Sequence, residues 1–403
     1  MNRVLGSTMI IAGTTIGAAM LALPVVSKHT GFVSASLLLF GLWIIMAYGA
    51  LVLLEILLQF PQGTSFSTLG DALLGRFGYA LINTSMVALF YCLTTAYIAG
   101  GTSFLERALY SSHLPHLPHY SLALLFTIGL GGLVAWKTSA VDVTNRCLLG
   151  LKMFAFLAVS ALLMPHINSQ LLFANNQNSH HAAILLILPV FFTAFGFHGS
   201  IPSLVKYVGP KPQALKKTFI LGSAIPLILY ILWEAVTLGV LPQTGAASFA
   251  SAVTHSNPVS QYIFLISHQV QQPVIRYGIH FFTDIAVTTS FLGVTLGLLD
   301  FFIDIIRNTR FIGSRRLIAT LFTFIPPLCF ALVYPQGFIA ALGYAAIPLA
   351  LLAIILPSVM ALRLRNATNY TRTYQAPGGT LGLASLFIFG IFLIAVQLYF
   401  HPL

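Results

Sequence analysis

The sequence predicts an all-helical integral membrane protein whose chain crosses the bilayer eleven times. Of its 403 residues, 58% are hydrophobic and only 7% are charged, whereas a soluble domain carries about 25% charged residues. The apolar residues occur in stretches of roughly twenty, which is the length that a helix needs to cross a bilayer. Strands of a membrane barrel would instead appear as short alternating segments. This composition excludes a water-soluble surface and makes the lipid bilayer the expected surroundings.

The predicted spans are bounded by polar residues or by clusters of proline and glycine. In chain order they cover residues 4–25, 32–57, 81–108, 120–137, 147–165, 183–205, 218–241, 277–302, 316–333, 337–361 and 380–400. Because this number of spans is odd, the two termini are expected to lie on opposite sides of the membrane. The chain is interpreted as one domain, 1–403.

The positive charges test this order of spans. The net charge is +11, and membrane proteins concentrate Lys and Arg in their cytoplasmic loops. One set of alternate loops contains only Lys28, Arg107 and Arg276; Lys152 lies inside a span, and the remaining cations fall on the opposite side. The N-terminus is therefore predicted to be cytoplasmic and the C-terminus to be outside. No nucleic-acid motif accompanies the charge, so no nucleic-acid partner is expected.

Catalysis, metal binding and an organic cofactor are not expected. Cys92, Cys147 and Cys329 lie in apolar stretches and have no zinc-type spacing. An enzyme would need a nucleophile beside a base, or carboxylates and histidines at one membrane depth. A channel would need rings of repeated pore residues. Neither pattern is found, so a membrane enzyme and a channel are distant alternatives to a carrier.

Two predicted spans carry glycines and hydroxyls at mid-membrane depth. The first contains AGTTIGAAMLALP at residues 12–24, and the sixth contains TAFGFHGSIP at residues 193–202. Unwound backbone exposes polar groups that hydrocarbon does not tolerate, so it persists where it lines a cavity for a polar solute. Interruptions five spans apart indicate two repeats of five helices. Close helix packing at Gly13 and Gly17 is the alternative explanation.

The chemistry of an unwound segment suits an amino acid. Free amides and the positive dipole end at a helix N-terminus favour a carboxylate. Exposed carbonyl oxygens accept hydrogen bonds from an ammonium group. A sugar or nucleoside would need more side-chain amides and carboxylates than these spans offer.

Several segments resemble the hydroxy/aromatic amino acid permeases of bacteria. They are residues 3–7 (RVLGS), the first-span run, residues 195–204 (FGFHGSIPSL) and residues 290–297 (SFLGVTLG). The resemblance covers nearly the whole chain. It implies a leucine-transporter-like inverted repeat, with residues 4–165 and 183–361 as the two halves and 380–400 as an extra span. It also implies proton-coupled import of an aromatic amino acid, with tyrosine expected, across the inner membrane.

The resemblance further implies that unwound backbone in both spans binds the substrate. The residues are Thr14, Thr15, Gly17, Ala18, Ala19, Phe195 and Gly196. Amides at positions 17–19 would bind the carboxylate, and carbonyls near Thr15 and at Phe195 and Gly196 would bind the ammonium group. Ala19 stands where the family usually has glycine, and its methyl leaves the substrate size open among tyrosine, phenylalanine and tryptophan.

Three further side chains are candidates for substrate contact. Phe197, with Phe195, offers an aromatic face beside the sixth-span interruption, although packing against lipid explains an abundant residue type equally well. Tyr97 lies in the middle of the third span and either meets the substrate or bonds a neighbouring helix. His198 lies in the interruption and titrates near neutrality, so it is a candidate for a proton carrier or for a donor to a phenol.

Ion coupling is expected at Lys152, the one cation inside a predicted span. In some sodium-independent relatives of this fold a fifth-span lysine replaces a sodium ion, and desolvation would let this lysine release a proton. The alternative is that its side chain snorkels to the cytoplasmic surface. A sodium-coupled carrier would instead use Gly13, Ile16, Thr289 and Ser290, and a tryptophan or serine carrier on the same fold is a further alternative.

Overall fold

The computed structural model describes residues 3–111, 117–136, 138–173, 181–255, 257–307, 314–367 and 373–400. Within these ranges all regular structure is helical and no strand is present, as the composition predicts. The α-helices are α1 Arg3–Thr15, α2 Leu23–Val26, α3 Gly31–Leu57, α4 Phe66–Ser111, α5 His119–Trp136, α6 Thr138–Leu163, α7 Ser169–Leu172, α8 His181–Ala194, α9 Ile201–Val208, α10 Pro212–Leu238, α11 Phe249–Val253, α12 Pro258–Gln269, α13 Pro273–Arg307, α14 Arg315–Val333, α15 Phe338–Ala350, α16 Leu356–Arg365 and α17 Gly379–Phe400. Short 3₁₀ segments precede α2 and α9, and a π-helical turn, Leu351–Ile355, joins α15 to α16.

The long helices overlap the predicted spans. In the described ranges, ten segments are long and apolar enough to cross a membrane, and the bent pair Arg3–Thr15 and Ala18–Val26 makes eleven if it is counted as one span. The two members of that pair meet at an angle of 44°. The interruption predicted in the first span is therefore a real bend of the backbone.

The third span differs from its predicted limits. We expected it to begin at residue 81, but helix α4 begins at Phe66. Gly75 lies within it at φ 70° and ψ −165°, which marks a kink between two helical pieces. A positive φ of this kind is available to glycine at little steric cost. The segment before the kink is more polar than the span proper, and for that reason hydropathy alone excludes it.

The interior is built by helices that are far apart in the chain. Helix α10 packs between α1 and α3, while α4 packs against α13, α14 and α15, and α13 packs against α6. Large apolar side chains such as Ile128 and Phe154 point outward and are 67% and 71% exposed. Such exposure would be unfavourable in water but is expected of a surface that contacts lipid.

Two short helices cover one end of this bundle. Helix α11 begins with a capping box in which Ser248 and Ser251 bond each other's backbone amides. Helix α12 begins at Pro258, and the side chain of Asn257 accepts a hydrogen bond from the amide of Ser260. Both helices contact α2, and α12 also contacts α4 and α13. We refer to α11 and α12 together as the cover layer.

Candidate functional site

The first span is interrupted where its sequence places glycine. Helix α1 ends at Thr15, and Gly17 is extended at φ −120° and ψ −170°. A Cβ atom on Gly17 would lie 3.0 Å from the hydroxyl oxygen of Ser290 in α13. The close approach of α13, rather than the backbone angles, therefore accounts for the absence of a side chain here. A 3₁₀ turn, Ala18–Ala22, then leads into α2.

The sixth span is interrupted in a similar way. Helix α8 ends at Ala194, and the backbone leaves helical geometry before a short 3₁₀ turn and α9, which carries a proline in its first turn. A Cβ atom on Gly196 would lie 3.1 Å from the carbonyl oxygen of Thr193 and 3.3 Å from the side chain of Leu349. Both interruptions therefore expose main-chain polar groups inside the helix bundle.

One tyrosine joins the two interruptions. The hydroxyl oxygen of Tyr230 in α10 lies 2.6 Å from the carbonyl oxygen of Thr15 and 2.7 Å from that of Ala194. Its single proton can serve one of these acceptors fully, or both partially. The ring also packs edge-on against Phe195, with centroids 5.3 Å apart. Sequence reasoning missed Tyr230; the only signal was a phenol in the middle of an apolar span.

Lys152 reaches the first interruption. Its ammonium nitrogen donates to the carbonyl oxygen of Ile16 at 2.5 Å, and the residue is 2% exposed. The snorkelling alternative does not describe this geometry, since the side chain runs inward from α6 towards α1. The ammonium group of Lys152 therefore lies at the main-chain carbonyl of Ile16.

Residues of α13 and α4 complete the same region. Ser290 accepts a hydrogen bond from the amide of Ala18 at 2.9 Å and donates to the carbonyl of Ala286 at 2.8 Å. The phenol of Tyr97, in α4, lies within interaction range of the Ser290 side chain. Thr289 instead donates back to its own helix, at the carbonyl of Ala286. Tyr97 and Ser290 are therefore brought to the interruption, whereas the Thr289 hydroxyl is engaged elsewhere.

His198 and Phe197 are buried and pack towards α3. The Nε2 atom of His198 is 3.1 Å from the carbonyl oxygen of Met46 in α3, so the ring is directed towards α3. The ring of Phe197 stacks on it with centroids 4.7 Å apart. Phe195, Phe197 and His198 are all buried. The two phenylalanines therefore do not face lipid, and His198 contacts the second span rather than the carbonyls at the two interruptions.

The remaining first-span candidates divide between the interruption and helix packing. Thr14 is exposed and its hydroxyl donates to the carbonyl of Ile10, so its side chain is not part of the cluster. Gly13 packs against α6, because a Cβ atom there would lie 2.6 Å from the side chain of Leu149. Thr15 is buried and donates to Ile11, and Ala19 is buried in the 3₁₀ turn.

The polar groups around the two interruptions determine what this site can bind. Its polar groups are main-chain carbonyls and amides, two phenols, a serine and one ammonium group, and they are joined by hydrogen bonds and not by ion pairs. In the part of the chain that the structure describes, no three His, Cys, Asp or Glu side chains are grouped to hold a metal ion. The arrangement is suited to binding a zwitterion reversibly and to moving a proton.

The sequence is similar over nearly its full length to known amino acid permeases. A model of the tryptophan/tyrosine permease family matches residues 1–397. The chain is 37% identical to Tyrosine-specific transport system 1 of Haemophilus influenzae, over 98% of this chain and 96% of that protein. It is 35% identical to the Tryptophan-specific transport protein of Pseudomonas aeruginosa, over 96% of this chain and 92% of that protein. The matched residues include nearly all of the helices described above.

Proposed function

The chain belongs to the tryptophan/tyrosine permease family, and from that premise we propose that it imports tyrosine together with a proton by alternating access. It is a transport protein of the bacterial inner membrane and not an enzyme. The observation that carries the proposal is the pair of broken spans joined by Tyr230 and reached by Lys152.

The two broken spans offer both halves of an amino-acid site. Amides at Gly17, Ala18 and Ala19 stand at the start of the 3₁₀ turn, where a carboxylate is stabilised by free N–H groups. In the structure the amide of Ala18 donates a hydrogen bond to the hydroxyl of Ser290. Carbonyls of Thr15, Phe195 and Gly196 would accept the ammonium group. The phenylalanines at 195 and 197 and the phenol of Tyr97 would contact the aromatic ring.

The preference for tyrosine over tryptophan is proposed from the residue at position 19. Ala19 carries a methyl group in a buried turn, where the family pattern usually has glycine. An added methyl narrows the space for a ring, and a phenol occupies less volume than an indole. Relatives named for each amino acid match the chain at comparable identity, so the substrate preference rests on this steric argument.

The proposed topology rests on the two broken spans and on the charges of the loops. We place the N-terminus in the cytoplasm and treat residues 4–165 and 183–361 as inverted repeats, with 380–400 as an extra span. The bundle of spans 1, 2, 6 and 7 would then rock against spans 3, 4, 8 and 9 around the interruptions. Loops rich in Lys and Arg on one side support this orientation.

Proton coupling is proposed at Lys152. When charged, its ammonium group donates strongly to the Ile16 carbonyl and holds α6 against the first-span interruption. When neutral, it donates more weakly, and the bundle is freer to move. The cation also leaves little room for sodium at the same carbonyl, since two like charges there would repel.

The test uses purified protein in proteoliposomes with an inward proton gradient, sodium absent and labelled tyrosine outside. We expect accumulation that a protonophore abolishes and that unlabelled tyrosine competes more effectively than tryptophan. Lys152→Ala should accumulate less tyrosine than wild type under the proton gradient but retain tyrosine exchange at equal pH, while the exposed Lys206→Ala serves as the matched control. Uptake that requires sodium would refute proton coupling, and stronger competition by tryptophan would refute the substrate preference.

A further inference from the structure

A second ionisable group is buried inside the bundle, on α10. Glu234 lies near the end of α10, and it is 0% exposed. One carboxyl oxygen, Oε2, accepts a hydrogen bond from the hydroxyl of Ser27 at 2.8 Å. The other oxygen, Oε1, is buried and has no hydrogen-bond partner among the described residues. An ionised carboxylate with one neutral donor is expensive to bury, whereas the neutral acid is tolerated.

No cation compensates this carboxyl group in the described part of the chain. Helices α2 and α6 pack against α10. Lys28 follows α2, Lys152 belongs to α6, His166 follows α6, and Tyr262 of α12 lies near Glu234. The Tyr262 hydroxyl donates to the carbonyl of Leu21 at 2.8 Å, and His166 contacts the carbonyl of Leu162. Among the described residues, neither Lys28 nor Lys152 forms an ion pair with Glu234. A carboxylate that served only structure would be expected to have a charged partner, as Glu55 has in Arg365.

The contacts of Ser27 accommodate both protonation states of the acid. The Ser27 hydroxyl oxygen lies 2.8 Å from Oε2 of Glu234 and 3.3 Å from the carbonyl oxygen of Pro24. With an ionised Glu234, the hydroxyl donates to the carboxylate. With a neutral Glu234, the acid can donate to the hydroxyl oxygen, which then donates to Pro24. Rotation of one hydroxyl therefore accommodates a proton without moving the backbone.

The acid also lies near contacts that join α10, the broken first span and the cover layer. Ser27 follows α2, the outer half of the broken first span, and Glu234 belongs to α10. Tyr262 binds the same half-span from the cover layer, at Leu21, and lies close enough to Glu234 to interact electrostatically. Separation of the cover layer from α2 would thus admit water to the carboxyl group, and closure would exclude it.

We propose that Glu234 is a proton-binding site of the transport cycle, occupied while the cover layer rests on α2 and exchanging its proton when the two separate. The proposal rests on the proposed function, because it needs alternating access with this end of the bundle facing outward. It adds a proton site that is separate from the one at Lys152. The proton enters from external water, the carboxyl oxygen binds it, and no other bond is made or broken.

The first experiment measures how much tyrosine a pH gradient can accumulate in proteoliposomes whose membrane potential is clamped at zero. Each coupled proton supports about a tenfold concentration ratio per pH unit. Glu234→Gln keeps the shape of the neutral acid but binds no proton, so we expect its accumulation ratio to be about tenfold lower per pH unit. Exchange at equal pH should persist. Glu106→Gln, at an exposed acid whose side chain is 56% exposed, is the matched control and should behave as wild type.

The outcomes separate the two proposals. Wild-type accumulation that Glu234→Gln leaves unchanged overturns the proton site but leaves the symporter standing. Failure of the wild type to accumulate tyrosine under the gradient overturns the symporter and, with it, a coupling role for Glu234.

A second measurement detects the proton on Glu234 directly and can be made even if a variant no longer transports tyrosine. In infrared difference spectra between low and high pH, wild type should show the C=O band of a protonated carboxyl group, and Glu234→Gln should lack that band. Ser27→Ala, which retains the acid, should shift the midpoint pH of the band. Spectra in which the band is the same in wild type and Glu234→Gln would overturn the proposal.

Discussion

Glu55 and Arg365 form a buried ion pair that ties the second span to the tenth. The carboxylate accepts from Nε and one terminal nitrogen of Arg365, each at 2.7 Å, and from the amide of Ala376 at 2.8 Å. The side chains of Glu55 and Arg365 are 0% and 9% exposed. We expect Glu55→Gln to lower the free energy of unfolding, because it leaves the guanidinium charge buried without a carboxylate.

The magnitude follows from that burial. Removing one member of a buried pair costs about 3–5 kcal/mol, since the remaining charge stays desolvated. The two parallel bonds to Arg365 place this pair in the upper half of that range. Replacing both partners, as in Glu55→Gln with Arg365→Met, leaves no buried charge, so the double variant should lose less than the sum of the single losses.

The assay is reversible unfolding in mixed micelles with increasing denaturing detergent, followed by circular dichroism. Glu106→Gln is the control, because an exposed carboxylate is expected to contribute at most about 1 kcal/mol. A loss below about 1 kcal/mol for Glu55→Gln would refute the reasoning. Additive losses in the double variant would refute it equally, since they would show that the two side chains do not interact.

Three further outcomes are expected in the same unfolding assay. Gly49→Ala should lose about 1–3 kcal/mol, because its Cβ would lie 2.7 Å from a carbonyl oxygen of the π-helical turn, while Gly41→Ala, with open space around it, should lose nothing; equal effects would contradict this. Tyr230→Phe should lose about 1–3 kcal/mol, since two buried carbonyls lose their shared donor, and an unchanged midpoint would show that they need none. Burial raises the pKa of Tyr374 from 10.0 to about 12. The contribution of this phenol to the free energy of unfolding should therefore be fully present below pH 10 and be lost between pH 10 and 12. Tyr374→Phe should remove that part of the alkaline loss, and a pH profile identical to wild type would contradict this.

The interruptions of the first and sixth spans could be predicted because glycine-rich runs are local features. The glycines and hydroxyls around Gly17 and Gly196 indicate a break in each helix from the local sequence. Most span limits were predictable because apolar composition is also a local feature. However, the helices of the fifth and seventh spans begin earlier than predicted, at Thr138 and Pro212, and that of the third begins at Phe66. There a kink at Gly75 allows a more polar helical segment to precede the apolar one, and hydropathy does not register such a segment.

The side-chain partners could not be predicted. Lys152 and Ile16 are 136 positions apart, and the contact between Ser290 and Ala18 spans 272 positions. Whether these pairs meet depends on how each helix is rotated about its axis, and in a uniformly apolar span the sequence has little periodicity to indicate that rotation. His198 shows the same limitation: its position in the interruption was predictable, but its contact with Met46 was not.

The sequence by itself determined that this protein is a helical membrane protein with two broken spans, because hydrophobicity and glycine content act residue by residue on the choice between water and lipid and between helix and unwound backbone. Only the tertiary structure decided which polar groups share the interior. Tyr230 joins the two interruptions and Glu234 is buried beside Ser27 because helices distant in the chain pack together. In a medium without water, each buried polar group must find its partner across those helix contacts.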